Sequence, residues 1–450
     1  MSKTPDPTLY MRFVRGIALP LGDWLIGQRM MARLRFLENA QWWDRERLLD
    51  YRNQLLADTI SVAYQEVPLY RESMDEVGIK PSDIQSPDDL YKLPIVTKDI
   101  LRSGYPEQTT RTTAQKTYEE CTSGSTGAPF CVREDPETTG WYRASFMLTL
   151  EWAGWRIGEP HFQTGITTNR KRWRRAKDWL LRCHYTSAYD LTDAALDQHL
   201  AAIEKKRISL LGGFPSSLYY LARRAAELGW NQPIRSVVTW GDNLYSTYRK
   251  TIEETFNTQV FDTYGCSEGI QVSAQCEQGN YHVHNLDVVV EYLDDDNQPV
   301  PPGETGHLIL TRLHPGPMPL IRYRIGDMGV SAGSRVCDCG RGFELMNSIA
   351  GRDTDVIVTP AGNRLIVHFF TGILEHYQEV ESFQVVQDNL ESILLRIVPT
   401  PGYSLETGEQ IVNKLKEKGA DCAIQIELVD DIPLTSGGKR RFVISKLAQR

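Results

Sequence analysis

Helical patterns and short apolar runs alternate along the middle of this chain, from residue 135 to about residue 268. The runs at 208–214, 236–239 and 259–261 are short and apolar, as strands are. Polar turns follow the last two runs, at 240–243 and 262–268. Such alternation implies a sheet with helices on its faces. We therefore expect functional side chains in the turns at the strand ends, where the crevice of such a sheet opens.

The flanking sequence predicts the domain organisation. The first hundred residues read as helical, because apolar residues between 42 and 66 recur at three- and four-residue intervals. A strand, a turn-rich loop and a strand are predicted over 288–312, and a compact β/α pattern starts after Gly351. We predict an α/β fold. A large domain over residues 1–350, helical over about 1–100, has mixed sheets flanked by helices, and a small mobile α+β lid domain covers residues 351–450.

Charge and hydropathy argue against several classes of partner. The 450 residues carry a formal net charge of −8, which argues against nucleic acid or an anionic membrane as the main partner. The basic run at 170–175 is interpreted as a solvated helix face. No apolar run approaches the roughly 20 residues that span a bilayer, and Pro20 and Asp23 break the stretch 17–27, which lacks a signal-peptide profile. We expect a cytoplasmic chain.

A loop rich in glycine, serine and threonine, C-T-S-G-S-T-G-A-P-F, occupies residues 121–130. Four hydroxyl side chains and two glycines in so short a span cannot build a core. They suit a flexible loop whose N–H groups and hydroxyls wrap a polyanion, such as the phosphates of a nucleotide. The spacing is not that of a Walker loop, and no lysine closes it. The alternative interpretation is an ordinary surface loop.

Further motifs follow this loop in a fixed order along the chain. They are Y-G-C-S-E at 264–268, G-E-T-G at 303–306, R-Y-R-I-G-D at 322–327, G-R at 351–352 and L-T-S-G-G-K at 434–439. The set resembles the adenylate-forming superfamily of acyl-CoA synthetases, aryl-acid ligases and adenylation domains. Within it, the chain resembles the phenylacetate–CoA ligase branch and its relatives from capsular polysaccharide gene clusters. Such enzymes use ATP to convert a carboxylic acid into an acyl-adenylate and pyrophosphate.

The resemblance implies a nucleotide site. Ser267 would contact the α-phosphate, Tyr264 would stack near the adenine, and Asp327 would bind the ribose hydroxyls. The catalytic residues would be Glu268 and Lys439, the latter neutralising the carboxylate and the α-phosphate during adenylation. The residues implied in nucleotide binding are Ser123, Gly124, Ser125, Thr126, Gly127, Gly241, Asp242, Asn243, Tyr264, Gly265, Ser267, Asp327 and Arg352.

Glu268 is implied as the Mg²⁺ ligand, because a carboxylate oxygen suits a hard cation that bridges phosphates. The chain departs from the family's pattern at three places. Ala128 stands where a lysine is usual, so phosphate binding must rely on backbone and hydroxyl donors, and a lysine or arginine from elsewhere is an additional option. Trp240 opens W-G-D-N where a small residue, Glu and Pro are usual. Thr354 replaces a common aspartate in the hinge about which the small domain of relatives rotates.

Two pairs of metal-ligating side chains flank one hairpin-containing segment. Cys276 and His282 form the first pair, and Cys337 and Cys339 form the second. Three thiolates and one imidazole are the ligand set of a closed structural Zn²⁺ site. His284 is an alternative ligand, because it would share a face with His282 in a strand. The competing interpretation is three buried thiols and a core histidine.

The chain has eight cysteines, which do not suggest a disulfide framework in a chain of this size. Cys121, Cys131, Cys183 and Cys422 are isolated in the sequence. We interpret them as buried free thiols.

The leading hypothesis for function is an ATP-dependent carboxylic-acid ligase that passes the acyl group from the adenylate to a thiol, most plausibly coenzyme A. The alternative is an adenylating enzyme without a thiol step, which passes the acyl group to an amine or stops at the adenylate. A third hypothesis, a zinc-stabilised nucleotide-binding scaffold without catalysis, is disfavoured by the joint presence of Glu268, Asp327, Arg352 and Lys439. The expected partner is a small-molecule carboxylic acid, and a homodimer is the commonest assembly.

Overall fold

The computed structural model describes residues 6–112, 116–121, 130–165, 170–188, 190–352, 357–365, 367–374, 376–433 and 441–447. The chain divides into two compact units. The first consists of Met1–Leu244, Tyr248–Ile325 and Val330–Ser348. The second consists of Tyr245–Thr247, Gly326–Gly329 and Ile349–Arg450. The boundary predicted at residue 350 and the mobility of the segment beyond it stay predictions.

Helices dominate the start of the chain and then alternate with strands. A single turn of π-helix, Val14–Ala18, joins the first two helices, and 3-10 turns lie at Pro81–Asp83 and Pro87–Lys92. The α-helices are α1 Leu9–Phe13, α2 Leu19–Ile26, α3 Met30–Ala40, α4 Arg45–Glu66, α5 Pro68–Glu76, α6 Lys98–Ser103, α7 Pro136–Trp152, α8 Arg172–Leu180, α9 Asp193–Lys205, α10 Pro215–Glu227, α11 Ser246–Phe256, α12 Val367–Leu374 and α13 Leu405–Glu417.

The strands fall into one large sheet and several small ones. They are β1 Tyr118–Cys121, β2 Cys131–Glu134, β3 His161–Gly165, β4 Cys183–Ser187, β5 Leu210–Gly213, β6 Ser236–Thr239, β7 Gln259–Cys266, β8 Ile270–Gln275, β9 Tyr281–Val283, β10 Val288–Leu293, β11 Thr305–Arg312, β12 Tyr323–Ser331, β13 Leu345–Arg352, β14 Ile357–Val358, β15 Arg364–Leu365, β16 Val380–Asn389, β17 Ser392–Pro399, β18 Ala423–Leu428 and β19 Val443–Ser445.

The large sheet has eleven strands among the described residues, in the order β10-β11-β12-β13-β9-β8-β7-β6-β5-β3-β4. The strands from β7 to β4 in this order are parallel to their neighbours. On the other side of β7, the strands β8 and β9 pair antiparallel. The predicted α/β class with mixed strands and flanking helices is therefore confirmed. Because neighbouring parallel strands end at the same edge, the turns after β5, β6 and β7 share one edge of the sheet.

Two apolar clusters cover the parallel strands. Helices α9 and α10 bury Leu200, Ile203 and Leu218 against Phe162 and Val237. The other cluster joins α3 and α7 to the sheet and is rich in tryptophan. Helix α7 begins at a clear start signal. The Asp135 side chain accepts the Thr138 N–H at 2.8 Å, and proline, which lacks an N–H group, occupies the first helical position.

The second unit contains a four-stranded sheet in the order β18-β17-β16-β19. Strands β16 and β17 pair antiparallel, whereas β19 and β18 pair parallel to β16 and β17 respectively. The predicted strands at 382–387, 392–398 and 422–429 and the predicted helix at 408–418 all coincide with elements of this unit, within a few residues at each end.

Two sequence interpretations are corrected by the strand pairing. Residues 262–266 are the end of β7 and not a turn, and a bulge lies between Tyr264 and Gly265. Cys121 and Cys131 are neither isolated nor free, because β1 and β2 place them directly opposite each other and they form a disulfide. Cys121 is also exposed rather than buried. Cys422 is a buried free thiol as predicted, and Cys183 is a free thiol that is only half-buried.

Candidate active site and metal cluster

The turns after β6 and β7 bring two predicted motifs to the same edge of the sheet. Thr239 at the end of β6 pairs with Asp262 of β7. Gly241 and Tyr264, each two residues further along the chain, therefore follow neighbouring positions on the two strands. Gly241 has φ of 81°, and a Cβ atom there would lie 2.8 Å from the Phe214 ring. Glycine is therefore required at this turn. The edge is where an open α/β sheet binds ligands.

Glu268 is the centre of a small polar cluster at this edge. Its side chain is buried, with 3% of its surface exposed. The Tyr323 hydroxyl donates to Glu268 Oε1 at 2.8 Å, and Lys98 Nζ lies 3.5 Å from the same oxygen. Lys98 is about one-third exposed, so its ammonium group also faces solvent. The arrangement presents a carboxylate and a cation side by side.

Backbone pairing holds Lys98 and Tyr323 in place beside Glu268. The Val96 N–H donates to the Arg322 carbonyl and the Arg324 N–H donates to the Val96 carbonyl, each at 2.9 Å. These bonds attach the segment before α6 to the start of β12. Lys98 is the first residue of α6, and Tyr323 is the first residue of β12. Both side chains therefore reach Glu268 from one paired backbone unit.

A buried ion pair fixes the backbone at Glu268. Arg312 Nη1 lies 2.6 Å from Glu134 Oε1, and both side chains are almost fully buried. The same guanidinium donates to the Glu268 carbonyl at 3.4 Å and to the Met318 carbonyl at 2.7 Å. Gly269 follows with φ of 77°, and a Cβ there would lie 3.0 Å from the Glu134 carboxylate. Because Glu134 ends β2, this pair ties the strand after the glycine-rich loop to the Glu268 turn.

The other predicted site residues are distributed as follows. Tyr264, Asp242 and Asn243 are half-buried, whereas Gly241, Gly265 and Ser267 are exposed. Asp327 lies half-buried in β12, and Arg352 is the last residue of β13. Asp327 and Arg352 belong to the second unit. The predicted residues outside the described part of the chain are Ser123, Gly124, Ser125, Thr126, Gly127 and Lys439.

Sequence analysis missed Lys98, Tyr323 and the pair of Glu134 and Arg312. Tyr323 stands inside the quoted R-Y-R-I-G-D motif, which was the only local signal for it. Lys98 follows Thr97, whose hydroxyl accepts the Ile100 N–H at 3.3 Å, so the T-K-D sequence reads as an ordinary helix start. The contact of Lys98 with Glu268 joins residues far apart in the sequence and leaves no local pattern.

The structure also brings together the four predicted metal ligands. The ligand atoms of Cys276, His282, Cys337 and Cys339 all lie within 4.8 Å of one another. Cys276 Sγ lies 3.7 Å from Cys337 Sγ, and Cys339 Sγ lies 3.3 Å from His282 Nε2. Tetrahedral Zn–S bonds of about 2.3 Å separate two sulfur ligands by roughly 3.8 Å. The cluster therefore fits a tetrahedral zinc ion.

The surroundings of the cluster orient its ligands. The Gln278 and Arg341 N–H groups donate to the sulfur atoms of Cys276 and Cys339 at 3.4 and 3.5 Å. His282 Nδ1 lies 3.3 Å from the Phe343 carbonyl, which leaves Nε2 free to bind a metal. Burial lowers the pKa of His282 to about 4, so the ring is neutral near pH 7.

His284, the alternative ligand, lies outside the cluster. Its Nε2 atom lies 3.2 Å from the Thr149 hydroxyl, and its ring stacks on Trp152 with a centroid distance of 5.3 Å. His282 also contacts Trp152, edge to face. Both rings contact Trp152, but His284 lies just beyond the end of β9, and only His282 reaches the thiols.

The metal cluster is remote from Glu268. Strand β8 runs from the Glu268 turn to Cys276, and its six residues span roughly 20 Å. Beside the cluster, Arg341 pairs with Glu277 at 2.8 Å and lies over the rings of Trp42 and Trp152. The Gly342 N–H donates to the Gln41 carbonyl at 2.9 Å. These contacts fasten the loop that carries Cys337 and Cys339 to the N-terminal helices, and the predicted structural role of a metal in the cluster stays a prediction.

We expect Cys339→Ser to remove a stoichiometric zinc ion and to lower the free energy of unfolding by roughly 3 kcal/mol or more, because the metal stabilises only the folded loop. Elemental analysis of the purified chain and thermal unfolding check this. Cys183→Ser, which removes a half-buried thiol outside the cluster, is the matched control and should keep the zinc. A wild-type chain without bound zinc contradicts the assignment.

Two family models match parts of the chain. The AMP-binding enzyme family matches residues 182–315, which include the Glu268 turn. The CapK C-terminal domain matches residues 357–446. None of the helices in the described part of the chain is both long and apolar enough to cross a membrane.

Similar proteins agree with these matches. Phenylacetate-coenzyme A ligase from Thermus thermophilus is 24% identical over 89% of this chain and 97% of its own length. A structure of 2-hydroxyisobutyryl-CoA ligase in the postadenylation state is 18% identical, with a TM-score of 0.74 over 91% of this chain and 92% of that one. The amide bond synthetase McbA from Marinactinospora thermotolerans is 17% identical, with a TM-score of 0.55 over 87% of this chain and 92% of that one. These findings support an ATP-dependent, AMP-forming ligase, and they confirm the predicted resemblance of the chain to the phenylacetate–CoA ligase-like branch of the adenylate-forming superfamily.

Proposed function

We propose that this chain adenylates a small-molecule carboxylic acid with ATP and transfers the acyl group to coenzyme A. The observation that carries the proposal is the cluster of Glu268, Lys98 and Tyr323 at the ligand-binding edge of the sheet. A magnesium-bound polyphosphate carries a positive metal ion and negative phosphates. The Glu268 carboxylate suits the metal ion, and the neighbouring ammonium group of Lys98 suits the phosphates. The extensive similarity to a phenylacetate-coenzyme A ligase supports coenzyme A as the acceptor.

Each residue of the cluster has a separate role in this proposal. Glu268 would hold Mg²⁺, and the ion would supply positive charge beside the phosphates. Tyr323 holds the Glu268 carboxylate in one orientation through its hydrogen bond. Lys98 neutralises the Glu268 charge in the absence of nucleotide and turns to the phosphates when ATP binds. Lys98 thereby supplies the positive charge that a lysine at position 128 would usually supply, since this chain has Ala128 there.

Other roles rest on the family resemblance. We propose that Ser123 and its neighbours up to Gly127 bind the β- and γ-phosphates, and that Ser267 contacts the α-phosphate. Tyr264 then stacks near the adenine and Asp327 binds the ribose. Lys439 neutralises the carboxylate of the acid during adenylation.

We expect Lys98→Met to raise the KM for ATP about tenfold, because one cation beside the phosphates contributes roughly 1–2 kcal/mol of binding. The measurement is pyrophosphate exchange at varied ATP concentration. Arg102→Met removes a positive charge from the same helix, where Arg102 pairs with Asp99 at 2.7 Å, and should leave the KM unchanged. Equal KM values for the wild type and the Lys98 variant would show that Lys98 does not contact the nucleotide.

An amine is the second candidate acceptor. The match to the CapK C-terminal domain over residues 357–446 and the shared fold of an amide bond synthetase support this alternative. Both candidates share the adenylation step and the Glu268 cluster, so they differ only in the second step.

Product analysis separates the two acceptors. The chain is incubated with ATP, Mg²⁺ and a panel of arylacetic, benzoic and short aliphatic acids, with either coenzyme A or an amine. We expect mass spectrometry to detect an acyl-CoA thioester for one acid class, together with AMP. An amide that forms with the amine, with no thioester in the coenzyme A arm, would establish the alternative. The Glu268→Gln variant is the control for enzyme-independent acylation.

A further inference from the structure

The N-terminal helical segment is apolar on its outer face as well as its inner face. Helix α1, the π-helical turn and α2 follow one another without a break over residues 9–26. Pro20 lies in the first turn of α2, where the missing N–H of proline is tolerated. Gly27, with φ of 73°, ends the segment. Met11 and Val14 are buried against the body of the first unit.

The outer face of this segment forms an apolar stripe. Between 49% and 83% of each of its large side chains is exposed. Successive members are mostly four residues apart, so they lie along one side of the helix. The stripe consists of Leu9, Phe13, Ile17, Leu21, Trp24 and Leu25. A helix that is apolar all round is normally buried or in contact with lipid.

A basic helix with exposed tryptophans adjoins this stripe. The Tyr10 hydroxyl of α1 donates to the Leu180 carbonyl at the end of α8 at 2.8 Å, and the Arg182 guanidinium lies 4.0 Å from the Tyr10 ring centre. No side chain of α8 is buried. Trp173 and Trp179 are exposed by 56% and 76% respectively.

The charge of this surface is opposite to that of the whole chain. Residues 9–29 and 170–182 hold ten basic and two acidic side chains, a net +8, whereas the chain as a whole carries −8. Arg170 pairs with Asp178 at 2.6 Å, and Arg15 pairs with Glu38 and Glu151, which lie outside these ranges and reduce the net charge from +8 to +6. Within the described residues, Lys171, Arg172 and Arg175 form no ion pair with a carboxylate. The net charge therefore hides a local basic surface.

We propose that the apolar stripe and α8 together bind the surface of an anionic lipid bilayer. Apolar side chains on an amphipathic helix enter the boundary between headgroups and acyl chains, and tryptophan is favoured at that depth. Nearby arginines attract anionic lipids, and stable attachment needs both kinds of contact. A second copy of this chain is a poorer occupant, because a two-fold contact would place α8 close to its own positively charged copy.

Cosedimentation of the full chain with vesicles tests this proposal. One set contains phosphatidylcholine alone, and the other contains phosphatidylcholine with phosphatidylglycerol. We expect binding to the anionic vesicles that weakens as salt is added. The variant Arg172→Glu with Arg175→Glu and the variant Trp24→Ser with Leu25→Ser should each bind roughly tenfold or more weakly. Thermal unfolding of each variant shows that its fold is kept.

The matched controls lie on the second unit. Lys416→Glu with Lys418→Glu makes the same change in net charge at two exposed positions, the last turn and the C-cap of α13, and Leu405→Ser removes an exposed leucine. Both should bind vesicles as the wild type does. The proposal is overturned if neither kind of vesicle binds the chain, or if the control variants lose binding as strongly as the others. Self-association that depends on Trp24, without vesicle binding, would instead assign the surface to a second copy and overturn the proposal.

Discussion

Replacing Glu268 by glutamine is expected to lower ATP–pyrophosphate exchange by roughly 10²–10³-fold. The amide keeps the size of the side chain and can still accept the Tyr323 hydroxyl, which donates to Glu268 at 2.8 Å in the wild type. It loses the negative charge that, in the proposed function, would hold Mg²⁺ beside the phosphates. An interaction that neutralises charge in a buried site is worth roughly 3–4 kcal/mol of transition-state stabilisation. The effect should therefore appear mainly in kcat and in the Mg²⁺ concentration required.

A matched control separates this effect from a general loss of negative charge. Glu254 is exposed on α11, so Glu254→Gln makes the same chemical change away from the site. Its exchange rate should equal that of the wild type. Thermal unfolding of both variants establishes whether the fold is kept. If Glu268→Gln retains the wild-type exchange rate and Mg²⁺ dependence, another carboxylate binds the metal ion.

Replacing Arg312 by methionine is expected to destabilise the first unit by about 3–5 kcal/mol. The guanidinium is fully buried, and its loss leaves the Glu134 carboxylate buried without its partner at 2.6 Å. The Glu268 and Met318 carbonyls also lose a donor.

Burial raises the pKa of Asp287 to about 7, and the charge of Arg312 opposes that rise. Removing Arg312 should therefore raise the pKa of Asp287 further and favour its protonated form.

Denaturant unfolding of the variants checks this expectation. Adding Glu134→Gln to Arg312→Met removes the orphaned charge, so the double variant should be more stable than the single one. The exposed pair of Arg396 and Glu427, 2.8 Å apart, is the control, and Arg396→Met should cost less than about 1 kcal/mol. Equal stability losses for Arg312→Met and Arg396→Met would show that the buried pair has no special role.

The sequence predicts those elements whose signal is local. Residues 236–239 and 288–293 are strands with the predicted bounds, because short apolar runs between polar turns identify them. The polar character of residues 262–268 predicts a turn there, but residues 262–266 belong to β7. In the structure Asp262 is buried, and its carboxylate accepts hydrogen bonds from Thr239 and Tyr281. A polar residue with buried partners has no signature in the sequence alone.

Contacts between distant segments account for the other differences. Cys121 and Cys131 meet only because two short strands pair across the intervening loop. The sequence favoured a four-ligand metal site but left His282 and His284 equivalent, since both point the same way from a strand. Their hydrogen-bond partners differ in the structure, because His282 contacts the Phe343 carbonyl and His284 contacts the Thr149 hydroxyl. Lys98 and Tyr323 reach Glu268 through the pairing of Val96 with Tyr323, which no local pattern reveals.

ATP–pyrophosphate exchange that depends on an added carboxylic acid tests most directly whether this chain adenylates acids at the Glu268 cluster. We expect exchange with one class of acid, reduced by roughly 10²–10³-fold in Glu268→Gln and unaffected by Glu254→Gln. The exchange needs no acceptor, so the result holds for either a thiol or an amine. Exchange that is absent for every acid tried, in a folded chain that binds ATP, would contradict adenylation as the function of this site.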